Sequence, residues 1–255
     1  MRFKVVIPAR YASTRLPGKA LLDLAGRPLI QHVYERAVES GAQAIVIATD
    51  DARIRNAALS FGATVVMTSR KHASGTDRMS EVLSVLAEPE DSIVVNLQGD
   101  EPLMPGAAIR QVAALLNADP DASMATLCER ISEARDVFDP NVVKVVVDDA
   151  GRALYFSRAP VPWDRQHFAT HGSQRWPLAQ PYYRHIGLYG YRAGFVKRFS
   201  QLSPCAIERA EALEQLRALH YGARILVAES CAPTGFGVDT PADLERARQL
   251  FSNAK

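Results

Sequence analysis

Phe3-Lys4-Val5-Val6-Ile7-Pro8-Ala9-Arg10-Tyr11-Ala12-Ser13-Thr14-Arg15-Leu16-Pro17-Gly18-Lys19 is the stretch from which the fold is read. Phe3 to Ile7 is an apolar run and reads as a buried strand. Pro28 to Ser40 reads as a helix, because Leu29, Ile30, Val33, Tyr34, Ala37 and Val38 recur at helical spacing and Gly41 supplies a C-terminal stop. Between strand and helix lies a loop that carries Arg10, Arg15 and Lys19 with the hydroxyls of Ser13 and Thr14. Three cations and two hydroxyl donors suit a polyphosphate, which needs positive charge and many N–H and O–H donors. A solvated basic loop is the competing reading.

Outward from this unit the first half alternates strand and helix. Strand runs fall at Ala44–Ala48, Thr64–Met67 and Ser92–Leu97, and helical patterns at Asp51–Phe61, Gly75–Leu86 and Gly106–Leu116. Alternation of this kind means crossover units and a mostly parallel sheet flanked by helices, an α/β fold. The pattern changes near Ser123. Val142–Val147, Ala153–Phe156 and Ile186–Tyr191 follow with fewer helices between them and suggest a smaller, more antiparallel region. Gln166 to Pro181 is polar and proline-bearing and reads as a mobile loop. Helical periodicity returns over Ile207–His220, with Ser203-Pro204 as its N-cap and first position. Ile225–Ala228 reads as a last strand. Thr240-Pro241-Ala242-Asp243 has the form of a capped helix start. The division predicted is a nucleotide-binding core over 1–125 plus 200–255 and a smaller β-rich region over 126–199.

Composition removes several function classes. The chain has 255 residues, 47% of them hydrophobic, with 30 basic against 28 acidic residues and a net charge of +2. So balanced a charge argues against a general nucleic-acid or membrane binder, and makes the basic first loop a local feature. The three cysteines, Cys128, Cys205 and Cys231, have no metal-type spacing and fit buried thiols in a reducing compartment. Arg10 and Arg15 interrupt any apolar signal segment, and no run approaches a membrane span, so a cytoplasmic protein is expected. Gly18-Lys19 resembles part of a Walker A loop, but that loop needs glycine where Ser13 stands and Ser or Thr where Ala20 stands. The dinucleotide G-x-G-x-x-G pattern is absent after the first strand.

Chemistry is expected beyond the carboxyl ends of the strands, where open α/β sheets bind ligands. Gln98-Gly99-Asp100-Glu101-Pro102 follows the strand ending at Leu97 and brings Asp100 to the side of the basic loop. Asp100 reads either as a salt-bridge partner of those cations or as a ligand of a divalent metal bridging phosphate oxygens. Asp239, in Gly235-Phe236-Gly237-Val238-Asp239-Thr240-Pro241, reads either as an acid favoured by a helix dipole or as a second metal ligand. Ser74-Gly75-Thr76-Asp77-Arg78 opens a helix and reads either as a simple cap, which is all the local pattern supports, or as a segment that places Arg78 beside a base or phosphate. Arg158, His185, Tyr189, Glu214 and Gln215 border apolar segments, and each read alone is structural; Arg158 and His185 are also candidates for an anionic sugar acid, and Glu214 and Gln215 are either solvent-exposed or able to bond hydroxyls in a cleft. Glu214 and Gln215 are expected in mid-helix.

Taken in order, these blocks resemble the 3-deoxy-manno-octulosonate (Kdo) cytidylyltransferase family. The resemblance runs from Ile7–Lys19 through Ala48-Thr49-Asp50, Ser74–Arg78, Asn96–Pro102, Asn141–Val146, Ala153–Arg158, Arg184–Arg192, Leu213–Arg217 and Gly237–Pro241, nearly the whole chain. It implies a Rossmann-like nucleotidyltransferase fold, CTP and Kdo as substrates, magnesium as cofactor, and CMP-Kdo and pyrophosphate as products for lipopolysaccharide biosynthesis. Arg10, Arg15 and Lys19 would hold the triphosphate; Ser13, Arg78 and Gln98 the cytosine end; Asp100 and Asp239 the magnesium, with Lys19 as the third catalytic residue. Arg158, His185, Tyr189, Glu214 and Gln215 would line the sugar pocket. A homodimer joined through the β-rich region is also implied. Departures from the family pattern are Asp77 in place of glutamate, a longer Ser203–Arg209 segment and an unrecognisable 166–180 loop. The rival readings are the same chemistry on another sugar acid, a nucleotide-binding protein without turnover, and a glycosyltransferase that consumes a nucleotide sugar.

Overall fold

Strand β1 (Lys4–Ala9) is buried along most of its length, as a strand with neighbours on both edges and cover on both faces must be. In the computed structural model, which describes residues 1–12, 15–72, 74–171, 177–178 and 180–253, it lies between two parallel partners, β4 (Ala44–Thr49) and β6 (Ile93–Asn96). A short hairpin, β2 (Asp23–Leu24) and β3 (Arg27–Pro28), separates β1 from helix α1 (Leu29–Glu39). Helix α2 (Ala52–Ser60) leads to β5 (Thr64–Met67), which is parallel to β4, and α3 (Gly75–Val85) leads back to β6. Alternate residues of β1 serve different cores. Val5 and Ile7 pack with Leu29, Ile30 and Val33 of α1, whereas Val6 packs with Met79, Val82 and Leu83 of α3. Val38, expected on the apolar face of α1, is 52% exposed instead.

The second half extends the same sheet. After α4 (Gly106–Ala118) come β7 (Met124–Arg130), the short α5 (Ala134–Phe138), β8 (Lys144–Val147), β9 (Ala153–Ser157), the short α6 (Phe168–His171) and β10 (Tyr183–Arg192). Then follow α7 (Ala193–Phe199), α8 (Ala206–Glu211), α9 (Gln215–His220), β11 (Ile225–Glu229) and α10 (Pro241–Asn253). The main path is β11-β7-β10-β6-β1-β4-β5. Within it only β10 runs against its neighbours. The β8–β9 hairpin joins the first residues of β10, so a small antiparallel extension grows from the mostly parallel sheet. Residues 126–199 thus supply that extension and also two strands of the main path.

Several expectations change here. β7 and α7 carry no label in the sequence reading. The helix predicted over Ile207–His220 is two helices, because Ala212 adopts the left-handed conformation at φ 51° and turns the chain. Its first cap is Cys205 and not Ser203, with Glu208 Oε2 accepting from the Cys205 N–H. Part of the predicted 166–181 loop lies outside the described residues, and the described part includes α6. The start of α10 is as read: Thr240 Oγ1 accepts from the Asp243 N–H, and Asp243 Oδ2 accepts from the Thr240 N–H at 2.8 Å. Cys128 and Cys205 are buried, but Cys231 is exposed.

Candidate active site

Four segments meet beyond the carboxyl ends of β1 and β6: the loop after β1, the Gln98–Pro102 loop after β6, the N-terminus of α3, and the 235–240 loop before α10. They enclose a cleft of about 630 Å³ lined by Arg10, Arg15, Lys19, Arg78, Gln98, Asp100 and Asp239, among others. Close approach of the loops depends on Gly99. A Cβ there would sit 2.8 Å from the carbonyl oxygen of Pro8, so only glycine lets the β6 loop lie against the end of β1.

Lys19 stands at the junction of the two acidic loops. Its Nζ donates to Asp100 Oδ2 and, at 2.9 Å, to Asp239 Oδ1. Burial alone would lower the pKa of this ammonium, but the charge and hydrogen bond of Asp100, joined by those of Asp239, outweigh it and raise the pKa. Arg15 adds a contact of 3.0 Å from Nη2 to Asp239 Oδ2 while remaining largely open to solvent. Asp100 and Asp239, remote in sequence, therefore converge on one cation. The neighbouring Glu101 is an acid the sequence reading left without a role. Burial, followed by the Asp100 and Asp239 charges, pushes its pKa up to about 8, and its Oε2 is shielded from solvent with no hydrogen-bond partner.

The opposite wall is built on α3. Ser74 Oγ accepts from the Asp77 N–H at 3.1 Å and Asp77 Oδ2 accepts from the Ser74 N–H at 3.2 Å, so Asp77 closes the cap despite being shorter than glutamate. One turn on, Arg78 is buried. Its Nη2 donates to Asp50 Oδ2 at 3.0 Å and its Nη1 to Thr68 Oγ1. Asp50, in the Ala48-Thr49-Asp50 segment at the end of β4, is thus the anchor of Arg78. Ser13 lies outside the described residues.

The residues nominated for a sugar are less concentrated. Glu214 does not lie in mid-helix; it precedes α9 and accepts from Thr76 Oγ1 at 2.8 Å, and Gln215, on the first turn of α9, is buried. Burial raises the Glu214 pKa against the hydrogen bonds from Thr76 and Ser74. His185 lines a second cavity of about 320 Å³ with Glu101, Asn141, Arg184 and Thr234. Burial drives its pKa down to about 3, and its ring centroid is 5.2 Å from that of Tyr189. The Tyr189 hydroxyl is itself pushed well up by burial and by the Tyr191 and Glu214 charges. Arg158 lines neither cavity. Its Nε donates to the Glu211 carbonyl at 2.7 Å and its Nη1 to the Pro140 carbonyl at 2.9 Å, so the guanidinium is turned into the protein wall. Behind it, the buried Lys144 donates from Nζ to the carbonyls of Asp139, Val142 and Arg158, a clamp that sequence reasoning missed although a lysine amid Val143, Val145 and Val146 is its signal.

Against known proteins, the cytidylyltransferase family model matches residues 4–225. The 3-deoxy-manno-octulosonate cytidylyltransferase of Cellvibrio japonicus is 57% identical over 251 residues, covering 98% of each chain. That of Idiomarina loihiensis is 54% identical over 250 residues, again covering 98% of each. Among solved structures, a CMP:2-keto-3-deoxy-manno-octonic acid synthetase complexed with CTP is 43% identical, with a TM-score of 0.91 and complete coverage of both chains. A nucleotidyl transferase from Methanothermobacter thermautotroptrophicus, at 15% identity and a TM-score of 0.62, shares the fold.

Proposed function

The chain belongs to the 3-deoxy-manno-octulosonate cytidylyltransferase family, and we propose that it transfers CMP from CTP to the anomeric hydroxyl of Kdo, giving CMP-Kdo and pyrophosphate for lipopolysaccharide biosynthesis. The observation that carries this reading is the meeting of Lys19, Asp100 and Asp239 at the end of the basic loop. In such a transfer the sugar hydroxyl attacks the α-phosphorus in line and the bond to the pyrophosphate oxygen breaks. Negative charge then grows on the phosphoryl oxygens and on the leaving group. Arg10 and Arg15 border the open side of the cleft and supply positive charge to the outer phosphates. Lys19, deeper in the cleft, stabilises charge on the oxygens nearest the reacting phosphorus. Gln98 and Ser13 are assigned to the cytosine end, and Arg78, locked by Asp50 and Thr68, gives that end a fixed wall.

Asp100 and Asp239 fit a magnesium ion, because they are hard oxygen donors already gathered on a single cation and such an ion is commonly held by one or two carboxylates with phosphate oxygens. When bound, magnesium would neutralise phosphate charge and act as a Lewis acid on the phosphoryl oxygens. His185, Tyr189, Glu214 and Gln215 are assigned to the sugar, with Arg158 supporting this end from within the wall.

Pyrophosphate release, measured with CTP, magnesium and a panel of sugar acids, tests the reaction. Release is expected with Kdo in preference to sialic acid. Tight CTP binding without release on any sugar acid would favour a nucleotide-binding protein and overturn the reading. We infer also that two copies associate in the cytoplasm through the 126–199 region, which exposes Leu154 and Trp163. Among the described residues no helix is long and apolar enough to cross a membrane. Light scattering that returns the mass of one chain would refute the association.

A further inference from the structure

Thr126, on β7, is completely buried, and its hydroxyl touches three groups. Oγ1 lies 2.8 Å from the Ile186 carbonyl oxygen, 2.9 Å from that of Leu188 and 3.0 Å from Nε2 of His185. These partners flank the irregular step in β10, where pairing with β7 jumps from Ile186 to Tyr189. A hydroxyl has one proton and two lone pairs, and a carbonyl oxygen can only accept. Were the Thr126 proton directed at Nε2, both carbonyl oxygens would face hydroxyl lone pairs at hydrogen-bonding distance. The arrangement is satisfied when the proton is shared between the carbonyls and Nε2–H donates to Oγ1. The imidazole then carries its hydrogen on Nε2 and its lone pair on Nδ1. Burial keeps the ring neutral, with a pKa of about 3. Among the described residues Nδ1 makes no hydrogen bond. The ring is held edge-on by Phe156 at 5.0 Å and faces Tyr189, and it borders the smaller of the two cavities described above.

We propose that Thr126 is a positioning residue that fixes His185 as the Nε2–H tautomer, so that Nδ1 accepts a hydrogen bond from a hydroxyl of the sugar acid. This inference rests on the proposed reaction and refines it. A lone pair repels a carboxylate and attracts an O–H, so His185 reads a sugar hydroxyl, not the acid group.

Two measurements test it. In the wild-type protein, nitrogen-15 NMR of the histidine side chains at pH 6 should show His185 protonated on Nε2 alone. A spectrum with the proton on Nδ1, or on both nitrogens, overturns the proposal, and this readout needs no variant. Thr126→Val removes the acceptor for Nε2–H at nearly constant volume. It should raise KM for the sugar acid about tenfold, the worth of one hydrogen bond, while KM for CTP stays within about twofold. Thr126→Ser should restore the wild-type value. Equal rises in both KM values, or none, would make Thr126 a packing residue only. If wild-type protein releases no pyrophosphate with any sugar acid, the reaction assigned above fails, while the NMR result still decides the tautomer.

Discussion

At one end of the site Lys19 pairs with both Asp100 and Asp239, and Arg15 pairs with Asp239. At the other, His185, Tyr189 and Glu214 are all driven toward their neutral forms by burial. On the function proposed above, the difference matches the two ligands the ends would hold. A triphosphate is bound by charge, and its partners can stay partly in water. A sugar is distinguished from its analogues by hydroxyl positions, and a neutral donor or acceptor in a dry wall penalises a missing hydroxyl heavily.

The contrast is most exposed at Asp100. Asp100→Ala leaves Lys19 with Asp239 and should keep the fold, so its melting temperature should stay near that of the wild type. Turnover should fall by about a thousandfold, as when a group stabilising transition-state charge is removed. A folded variant with normal pyrophosphate release would show that the charged end is only a structural salt bridge. Removal of divalent cations by a chelator should likewise stop release, and added magnesium should restore it.

The neutral end predicts a pH effect on stability. His185 titrates near 3 in the fold and near its ordinary 6.5 when unfolded. Between those values the unfolded chain binds the extra proton, so its contribution to stability is complete above pH 6.5 and is lost as pH falls. The slope should be about 1.4 kcal/mol per pH unit within that window. Urea unfolding of wild type and His185→Phe at pH 7, 5.5 and 4.5 checks it. Parallel pH dependences in the two proteins would mean that the ring is not held neutral.

Smaller effects separate the ends further. Glu214→Gln keeps the shape and the hydrogen bond from Thr76 while removing the charge. KM for the sugar acid should change by no more than about tenfold, with KM for CTP unaffected. A larger effect on CTP would assign Glu214 to the nucleotide. The least effect is expected at Arg53, whose guanidinium carbon lies 3.3 Å from the centre of the ring of Tyr11, in the loop after β1. Arg53→Met should raise KM for CTP by roughly two- to fivefold, the range of a cation–π contact, without altering KM for the sugar acid.

The charged end was largely legible in sequence, and the neutral end was not. A continuous apolar run ending in a cationic loop names β1 and the end of the sheet where that loop lies, and Asp100 follows the predicted strand end, Leu97, by three residues. These are local patterns. The antiparallel character expected around Ile186–Tyr191 is read from the scarcity of helices between strands, whereas the insertion of β10 into the main sheet between β6 and β7 leaves no mark on its own residues. The split between α8 and α9 is equally silent. Ala212 is a strong helix former, and the turn there accompanies capture of Glu211 by β9, where Glu211 accepts from Ser157 Oγ at 2.6 Å and the Arg158 N–H at 2.8 Å. The same Glu211 accepts, through its carbonyl, from Arg158 Nε at 2.7 Å.

Gly99 has a mechanical consequence. With its α-carbon hydrogens against the Pro8 carbonyl, no slack separates the basic loop from the acidic one. A shift of either loop toward the other is blocked by backbone, so the spacing of the two loops is set by main-chain van der Waals contact and not by the side chains that line the cleft.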